Sequence, residues 1–307
     1  MPLSHLFFVA SAFLLALGSV LAKYLLSLDQ TSETTIDPLP FLTFQLMGGV
    51  AFLVVMRLSM GWRHEPMQLL LRPALAGIIL GAGSVGTIMA LALISASEAS
   101  VVFATQPVLM LGLAWVLLGE RFGPSTAALC LIAVGGVIVI VIGGTVDASS
   151  SRFAGLAFAL MSTASAALYT VWMRGLSGKL DFLTALIVVQ SAALLLSALV
   201  WGLAGFADVS PTHFGSPFLM GSAFGTGVIY YGAAFYIYLI GLQNTEASKA
   251  GIYLSLVPVF AIALAWFLLA ERLAPMQWLG AAVVICAVGG LSALSARQER
   301  RHREKPT

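Results

Sequence analysis

The side chains that could bind a small molecule within the apolar segments of this chain are uncharged. Gln45, Gln106 and Gln190 each lie within a run of apolar residues, where an amide without a hydrogen-bond partner is costly. These amides are therefore expected to face the protein interior or a cavity. Aromatic side chains within the apolar runs are also candidates for binding, with packing of their rings as the alternative. The predicted binding residues are Gln45, Gln106, Tyr169, Trp172, Gln190, Tyr230, Tyr231 and Tyr253.

Four further residues are candidates for gating or coupling. Glu98 stands at the predicted start of a helix, where the helix dipole favours a carboxylate, and it is either a gate or protonation site or an ordinary interfacial charge. Lys23 ends the first apolar run, where a cation suits a helix C-terminus. Pro107 and Pro258 stand in mid-run, and each removes a backbone hydrogen bond and kinks a helix. They are predicted bending points.

Metal, cofactor and nucleotide sites are not expected. Cys130 and Cys286 lie in separate apolar runs with no histidine or second cysteine beside them, which excludes a cysteine metal site. The glycines of Gly81–Gly86 match the dinucleotide fingerprint, but that fingerprint follows a strand and this segment is an apolar helix. No HExxH motif and no nucleophile–base constellation stands within an apolar run. The chain is therefore not expected to be an enzyme.

One segment of the chain occurs twice. Residues 95–124 and 246–275 align without a gap and share 13 identical positions, among them the mid-run Pro-Val and the terminal Glu-Arg. That density of identities predicts two copies of one structural unit. The same offset places Lys23 on Arg174, so the first apolar run belongs to the unit and is predicted to be helix 1 rather than a signal peptide.

The composition predicts a polytopic membrane protein. Hydrophobic residues make up 60% of the 307 residues and charged residues 9%, against about 25% charged in soluble domains. The apolar runs are about 20 residues long, which is the length that crosses a bilayer. The ten predicted helices cover about 6–26, 40–60, 73–94, 99–118, 124–144, 153–174, 182–204, 217–242, 249–269 and 275–296.

Five helices per copy is an odd number, so the second copy is predicted to be inverted in the membrane. Basic residues gather on one side of the resulting topology, and the positive-inside rule places that side, with both termini, in the cytoplasm. The predicted fold class is therefore an all-α polytopic membrane protein of ten helices in two inverted repeats. The predicted organisation is repeat one over 1–144, a linker over 145–152, repeat two over 153–296 and a basic cytoplasmic tail over 297–307.

Two other patterns predict structural roles. Glu120 and Glu271 are equivalent in the two copies and fall on opposite membrane faces, so each is expected to cap a helix, pair with a cation or fix a short loop rather than act with the other on one substrate. The glycine pairs Gly77/Gly81 and Gly221/Gly225 form small-xxx-small faces, which permit close contact between membrane helices.

Ten spans in two inverted repeats, each with a Pro-Val and a terminal (Gly/Ala)-Glu-Arg, resemble the drug/metabolite transporter superfamily and above all its EamA-type members. The resemblance covers nearly the whole chain. It implies a ten-helix carrier that works by alternating access, with its substrate in a central cavity between the halves. Helix 1 departs from the pattern, because many relatives carry a Trp-Gly pair where this chain has Ala-Leu-Gly-Ser.

The predicted function is secondary transport of a small organic metabolite across the inner membrane. The scarcity of charge in the apolar runs favours an amino acid or related zwitterionic compound, with export favoured over import of a vitamin, nucleoside or other metabolite. The expected partners are the lipid bilayer and the substrate, with proton or exchange coupling left open, and no nucleic acid. The rivals from other classes are an intramembrane enzyme and a helical scaffold.

Overall fold

The computed structural model describes residues 3–28, 37–61, 65–118, 123–143, 150–173, 181–206, 217–243 and 256–303, and within these ranges the chain forms helices and no strand. Its elements are α1 (Leu3–Leu28), α2 (Pro38–Ser59), α3 (Met67–Leu93), α4 (Ala96–Phe103), α5 (Gln106–Leu118), α6 (Pro124–Gly143), α7 (Ser150–Met173), α8 (Phe182–Phe206), α9 (Pro217–Gly227), a π-helical segment (Val228–Ala234), α10 (Phe235–Gln243), α11 (Val257–Leu269) and α12 (Pro275–Arg303).

In the described part of the chain these elements make up ten apolar spans. Helices α4 and α5 together form the fourth span, and α9, the π-helical segment and α10 form the eighth. Seven segments are long and apolar enough to cross a membrane, and three shorter apolar helices lie within α6, α11 and α12. An all-helical bundle is the form expected of such a composition, because a helix satisfies its own backbone polar groups where water is absent.

Prolines begin several of these helices, because a proline in the first turn costs no intrahelical hydrogen bond. Pro124, Pro217 and Pro275 are the first residues of α6, α9 and α12 as predicted. Pro73 was predicted to begin helix 3 and does not, since α3 starts at Met67 and holds Pro73 in its second turn. Two other boundaries differ, because α7 begins at Ser150 within the predicted linker and α12 continues to Arg303 through most of the basic tail.

The fourth span is not the single helix that was predicted. It is interrupted at Ala104 and Thr105, immediately before Gln106 and Pro107. At the break the carbonyl of Val102 accepts from both the hydroxyl and the backbone N–H of Thr105, at 2.7 and 3.0 Å. Pro258, the counterpart of Pro107 in the second copy, lies in the first turn of α11, where it removes no helical hydrogen bond.

Contacts between spans repeat when every span is exchanged for its counterpart five places along the chain. The third span packs on the sixth and seventh, and the eighth packs on the first and second. The fourth packs on the sixth, and the ninth packs on the first. The second, fourth and fifth spans each pack on their own counterparts, the seventh, ninth and tenth. The fold is therefore pseudo-symmetric, with each repeat packed mainly against the other.

The counterpart pairs run antiparallel. Glu271, just after the end of α11, bonds to Ala96 at the start of α4, so the ninth span ends where the fourth begins. Thr43 near the start of α2 meets Ser197 near the end of α8 at 2.9 Å, and Arg57 near the end of α2 pairs with Asp181 before α8 at 3.2 Å. The two repeats are therefore inverted. We call the end of the bundle that holds Glu271 and the end of α3 the outer end, following the predicted orientation.

The closest approach between the repeats joins α2 to α9. A Cβ atom on Gly227 would overlap the carbonyl of Gln45, and one on Gly48 would overlap the carbonyl of Phe224. The predicted face of Gly77 and Gly81 is confirmed, because a Cβ on either would meet α8 at Val189 or Ala193. The predicted face of Gly221 and Gly225 is wrong, because no heavy atom lies within 4 Å of a Cβ at either position. Gly227 instead makes the contact from that helix.

We expect Gly227→Ala to lower the thermal unfolding midpoint of the purified protein, because the added methyl group must push α9 away from α2. Overpacking of this kind costs about 1–3 kcal/mol. Gly225→Ala is the matched control on the same helix, and it should be neutral or raise the midpoint, since alanine is about 1 kcal/mol better than glycine within a helix. Equal midpoints for the two variants would contradict the close contact.

Candidate functional site

A small cavity lies between the two repeats, between the middle of the bundle and its outer end. Its walls come from α1, α2 and α3 of the first repeat and from the π-helical segment of the second. Its volume of about 10 Å³ is close to the space that one water molecule needs. The lining residues are Ser19, Ala22, Leu42, Gln45, Ser84, Thr87, Ile88, Leu91, Tyr230 and Tyr231, and none of these ten carries a charge.

The π-helical segment presents two consecutive tyrosines to this cavity. A π-helical turn inserts an extra residue into a helix and is often found at functional sites. The rings of Tyr230 and Tyr231 meet edge to face, with centroids 4.8 Å apart. Both rings line the cavity, from adjacent positions of the segment. The carbonyl of Ala234, at the end of the segment, accepts a hydrogen bond from Ser11 of α1 at 2.8 Å.

Three of the eight predicted binding residues line the cavity, namely Gln45, Tyr230 and Tyr231. The Gln45 amide points to the hydroxyl of Thr226 at 3.4 Å, so it bridges α2 and α9 beside the cavity. Ser19, Ser84 and Thr87 also line the cavity and were not predicted. Small hydroxyl residues are common in membrane helices because they satisfy themselves on their own helix, as Ser84 does on Leu80, and they give little signal in a sequence.

The other predicted binding residues lie elsewhere. Trp172 is 45% exposed and belongs to the perimeter of the bundle, where a tryptophan side chain packs against lipid. Gln106 and Tyr169 are partly buried and do not line the cavity. Tyr253 lies outside the described residues. The substrate contacts were also predicted on helices 1, 2, 6, 7 and 8, but α3 contributes four lining residues and α7 and α8, which are the predicted helices 6 and 7, contribute none.

Gln190, the remaining predicted residue, is fully buried on α8. Neither its amide nitrogen nor its amide oxygen has a hydrogen-bond partner in the described part of the chain. Leaving a buried polar group unpaired costs about 1–3 kcal/mol. Gln190 is therefore a destabilising residue in this conformation of the protein.

Five polar side chains lie at the outer end of the bundle, and we call them the outer network: Lys23, Glu98, Arg152, Glu271 and Gln277. The Glu271 carboxylate accepts from the backbone N–H groups of Ala96 and Ser97 at 2.9 and 3.0 Å and from the Ser97 hydroxyl at 2.9 Å. A helix start leaves such N–H groups without partners, and its dipole favours a negative charge. Glu271 of the second repeat therefore caps α4 of the first.

Local backbone geometry aims Glu271 at α4. The preceding residue, Ala270, ends α11 in the left-handed conformation at φ 52°, and it is the only non-glycine residue with a positive φ in the described ranges. Alanine adopts this conformation at a cost that glycine does not have. The equivalent position in the first repeat is Gly119. Glu120 and Arg121, which follow it, lie outside the described residues.

Glu98 joins three spans at the same end. Its Oε1 atom accepts from Arg152 of α7 at 2.8 Å and from the Gln277 amide of α12 at 2.6 Å, and its side chain is buried. Glu98 is thus a paired charge within the protein rather than a charge at a free surface. Its counterpart Lys249, and Arg174, the counterpart of Lys23, both lie outside the described residues.

Lys23 completes the outer network from α1. Its ammonium donates to the carbonyl of Leu91 at 2.8 Å, which belongs to the last turn of α3. The last carbonyls of a helix have no partner within it, and the negative end of the dipole favours a cation. The corner between α3 and α4 is therefore capped on both sides, by a cation from α1 and by an anion that follows α11.

A neutral polar cavity at the interface of two inverted repeats is typical of secondary transporters. Comparison with protein families agrees. The model of the EamA-like transporter family matches residues 2–142 and 153–293, one match for each repeat. The chain belongs to this family of membrane transporters.

Individual proteins similar to the chain bear only general names. An uncharacterized transporter of Archaeoglobus fulgidus is 30% identical over 64% of this chain and 67% of its own length. An uncharacterized transporter of Bacillus subtilis is 29% identical over 64% of each chain, so the match spans about two thirds of these relatives. A solved crystal structure has the same fold with a TM-score of 0.62, at 20% identity over 92% of this chain and 98% of the other.

We expect Gln190→Leu to raise the thermal unfolding midpoint, because it removes two buried polar atoms that have no partner at nearly constant volume. Gln277→Leu is the matched control, since Gln277 is also buried but bonds to Glu98 and Ala274, and it should lower the midpoint. A fall in the midpoint for Gln190→Leu of the same size as for Gln277→Leu would show that Gln190 has a stabilising partner.

Proposed function

We propose that this protein is a secondary transporter of the inner membrane that moves a small zwitterionic or amphipathic metabolite, such as an amino acid, by alternating access. The observation that carries the proposal is the cavity of neutral polar and aromatic side chains between the two inverted repeats. Export is favoured over import. Vitamins and nucleosides are the alternative substrates for the same architecture.

The chemistry of the cavity supports a substrate of low net charge. Six of its ten lining residues carry a hydroxyl or amide group, and these both donate and accept hydrogen bonds. The two tyrosine rings offer apolar faces, which also attract an organic cation. Strongly anionic substrates such as sugar phosphates would require fixed cations on the walls, and the lining residues supply none.

The size of the cavity supports a mechanism in which the helices around it move. A space for about one water molecule does not hold a metabolite, so the surrounding helices must separate for substrate to enter. Because the two repeats are inverted copies, an arrangement open to one side has a counterpart open to the other at similar energy. The break before Pro107 and the π-helical segment interrupt regular helices at the fourth and eighth spans, and we assign the bending to them.

The outer network is the proposed outer gate. Opening a path from the outer end to the cavity must separate α4 from α11 and α12, which Glu271 and Glu98 hold together through the contacts described above. Each contact is charge-assisted, and such hydrogen bonds are about twice as strong as neutral ones. The gate therefore opens only at the expense of several hydrogen bonds, and water at the open outer end replaces them.

Flux measurements in proteoliposomes test the transporter function. The protein should catalyse saturable counterflow of at least one labelled compound from a panel of amino acids, nucleosides and vitamins. Comparison of the metabolites of cells with and without the protein identifies the substrate and the direction together. Absence of flux across the panel, with folded protein in the vesicles, would exclude the carrier and leave the scaffold as the explanation.

We expect Glu271→Ala to favour the outward-open state, because it removes three hydrogen bonds that close the outer end. In a background with Cys130 and Cys286 replaced by alanine, Ser84→Cys places a thiol on the cavity wall. A membrane-impermeant maleimide added outside intact cells should label this thiol about tenfold faster when Glu271→Ala is present, since one charge-assisted hydrogen bond contributes about 1.5–3 kcal/mol.

Glu65→Ala is the matched control for this labelling experiment. Glu65 precedes α3 at the inner end of the bundle, so its removal changes the charge by the same amount without touching the outer network. Labelling should proceed at the parental rate in this variant. The outer gate is wrong if Glu271→Ala also labels at the parental rate.

A further inference from the structure

Lys23 is a cation of the outer network whose hydrogen bond goes to an uncharged acceptor. An ammonium group has three N–H donors. In the described part of the chain its one hydrogen bond is to the carbonyl of Leu91, and the ion pairs found there join Arg57 to Asp181 and Arg152 to Glu98. A partly buried cation therefore keeps two donors free.

The neighbouring carboxylates do not use these donors, because each already has its own partners. Glu98 is bonded to Arg152 and Gln277, and Glu271 is bonded to the start of α4. Both act on Lys23 only through space. With two cations and two anions, the outer network is balanced as it stands.

Lys23 lies beside the rim of the cavity. Ala22 is its neighbour in sequence, Ser19 lies one turn further in on α1, and Leu91 is its acceptor, and all three line the cavity. The ammonium group thus lies at the outer rim of a space whose other walls are neutral. A ligand in a widened cavity would meet one positive charge, at this rim.

We propose that Lys23 binds the carboxylate of the transported metabolite, which replaces or joins the Leu91 carbonyl as its acceptor. This inference rests on the transporter function proposed above and narrows its substrate class to compounds with a carboxylate. A carboxylate offers the ammonium group a full opposite charge as well as acceptor oxygens, whereas the Leu91 carbonyl offers only a dipole. The amide and hydroxyl oxygens of Gln45 and Ser84, and the faces of the tyrosine rings, receive the ammonium group of a zwitterion.

A capping role for Lys23 makes different predictions. If the side chain serves only to satisfy the last turn of α3, its removal lowers stability and leaves the relative transport of different substrates unchanged. If it binds the substrate, its removal changes the preference between an acid and the matching amide. Selectivity between matched compounds therefore separates the two roles.

The test is counterflow in proteoliposomes with each common L-amino acid and with nucleosides and polyamines that lack a carboxylate. For the best amino acid, the acid is compared with its amide; L-phenylalanine and L-phenylalaninamide are the first pair. The wild-type protein should carry the acid at least about tenfold faster, the gain expected from one charge-assisted hydrogen bond. Lys23→Gln and Lys23→Met should abolish this preference, and Lys23→Arg should keep part of it.

Arg272→Gln is the matched control, since Arg272 is an exposed cation that follows Glu271 at the same end of the bundle. It should leave the acid-to-amide ratio unchanged. The role of Lys23 is overturned if the ratio is unchanged in Lys23→Gln. It is also overturned if the wild-type protein carries amides, nucleosides or polyamines as well as it carries acids. In both cases the proposed transporter function still holds. Wild-type protein that carries nothing in the panel overturns the proposed function itself. If the neutral variants do not fold, the test is the acid-to-amide ratio of the wild-type protein and of Lys23→Arg. A wild-type preference for the acid that Lys23→Arg keeps in part supports the role of Lys23, and no preference in the wild-type protein overturns it.

Discussion

The structure depends on how two helix ends are satisfied at one corner, between α3 and α4. A chain that turns within a membrane leaves carbonyls at the end of one helix and N–H groups at the start of the next without partners, and lipid supplies none. Here Lys23 and Glu271 supply the missing partners. Lys23 donates to the carbonyl side while Glu271 accepts from the N–H side, and both come from other spans.

This arrangement makes the first repeat depend on the second. The cap of α4 in the first repeat is Glu271 of the second, and the Ala270 backbone conformation that aims it is the end of α11. The first repeat therefore cannot complete this corner alone. The same contacts form the outer gate proposed above, so one set of hydrogen bonds would serve both folding and gating.

Much of the fold could be predicted because repetition and hydrophobicity are properties of the sequence. The identities between residues 95–124 and 246–275 predict the two copies, and their odd number of spans predicts the inversion that the Glu271 contact demonstrates. The predictions that were wrong concern details that depend on how the helices pack against one another. Gly221 and Gly227 lie on the same helix, and only the path of α2 decides which of them it meets. The break at Ala104 lies within one turn of Pro107, which was predicted to bend this span, whereas no pattern in the sequence predicted the π-helical segment.

The candidate site was predicted less well for a related reason. An amide in an apolar run indicates that the side chain is buried, but it does not indicate which part of the protein surrounds it. Gln45 lines the cavity, whereas Gln190 is buried without a partner in the described part of the chain. Hydroxyl residues such as Ser84 bond to their own helix and leave no trace in the hydrophobic pattern. The adjacent tyrosines were predicted because an aromatic belt at the membrane surface accounts for tyrosines near helix ends but not for two tyrosines at mid-run.

The position of the outer network at the end of the bundle has an energetic consequence for the proposed alternation. A charged residue at the centre of a membrane helix costs about 2.5–3.5 kcal/mol, and this cost would recur in any state that left it unpaired. In the proposed mechanism, the charges of the outer network stand at the end of the bundle, where opening the gate would expose them to water instead of lipid. Hydration would then replace the broken hydrogen bonds, and substrate binding would have only a small energy difference between the closed and open states to overcome.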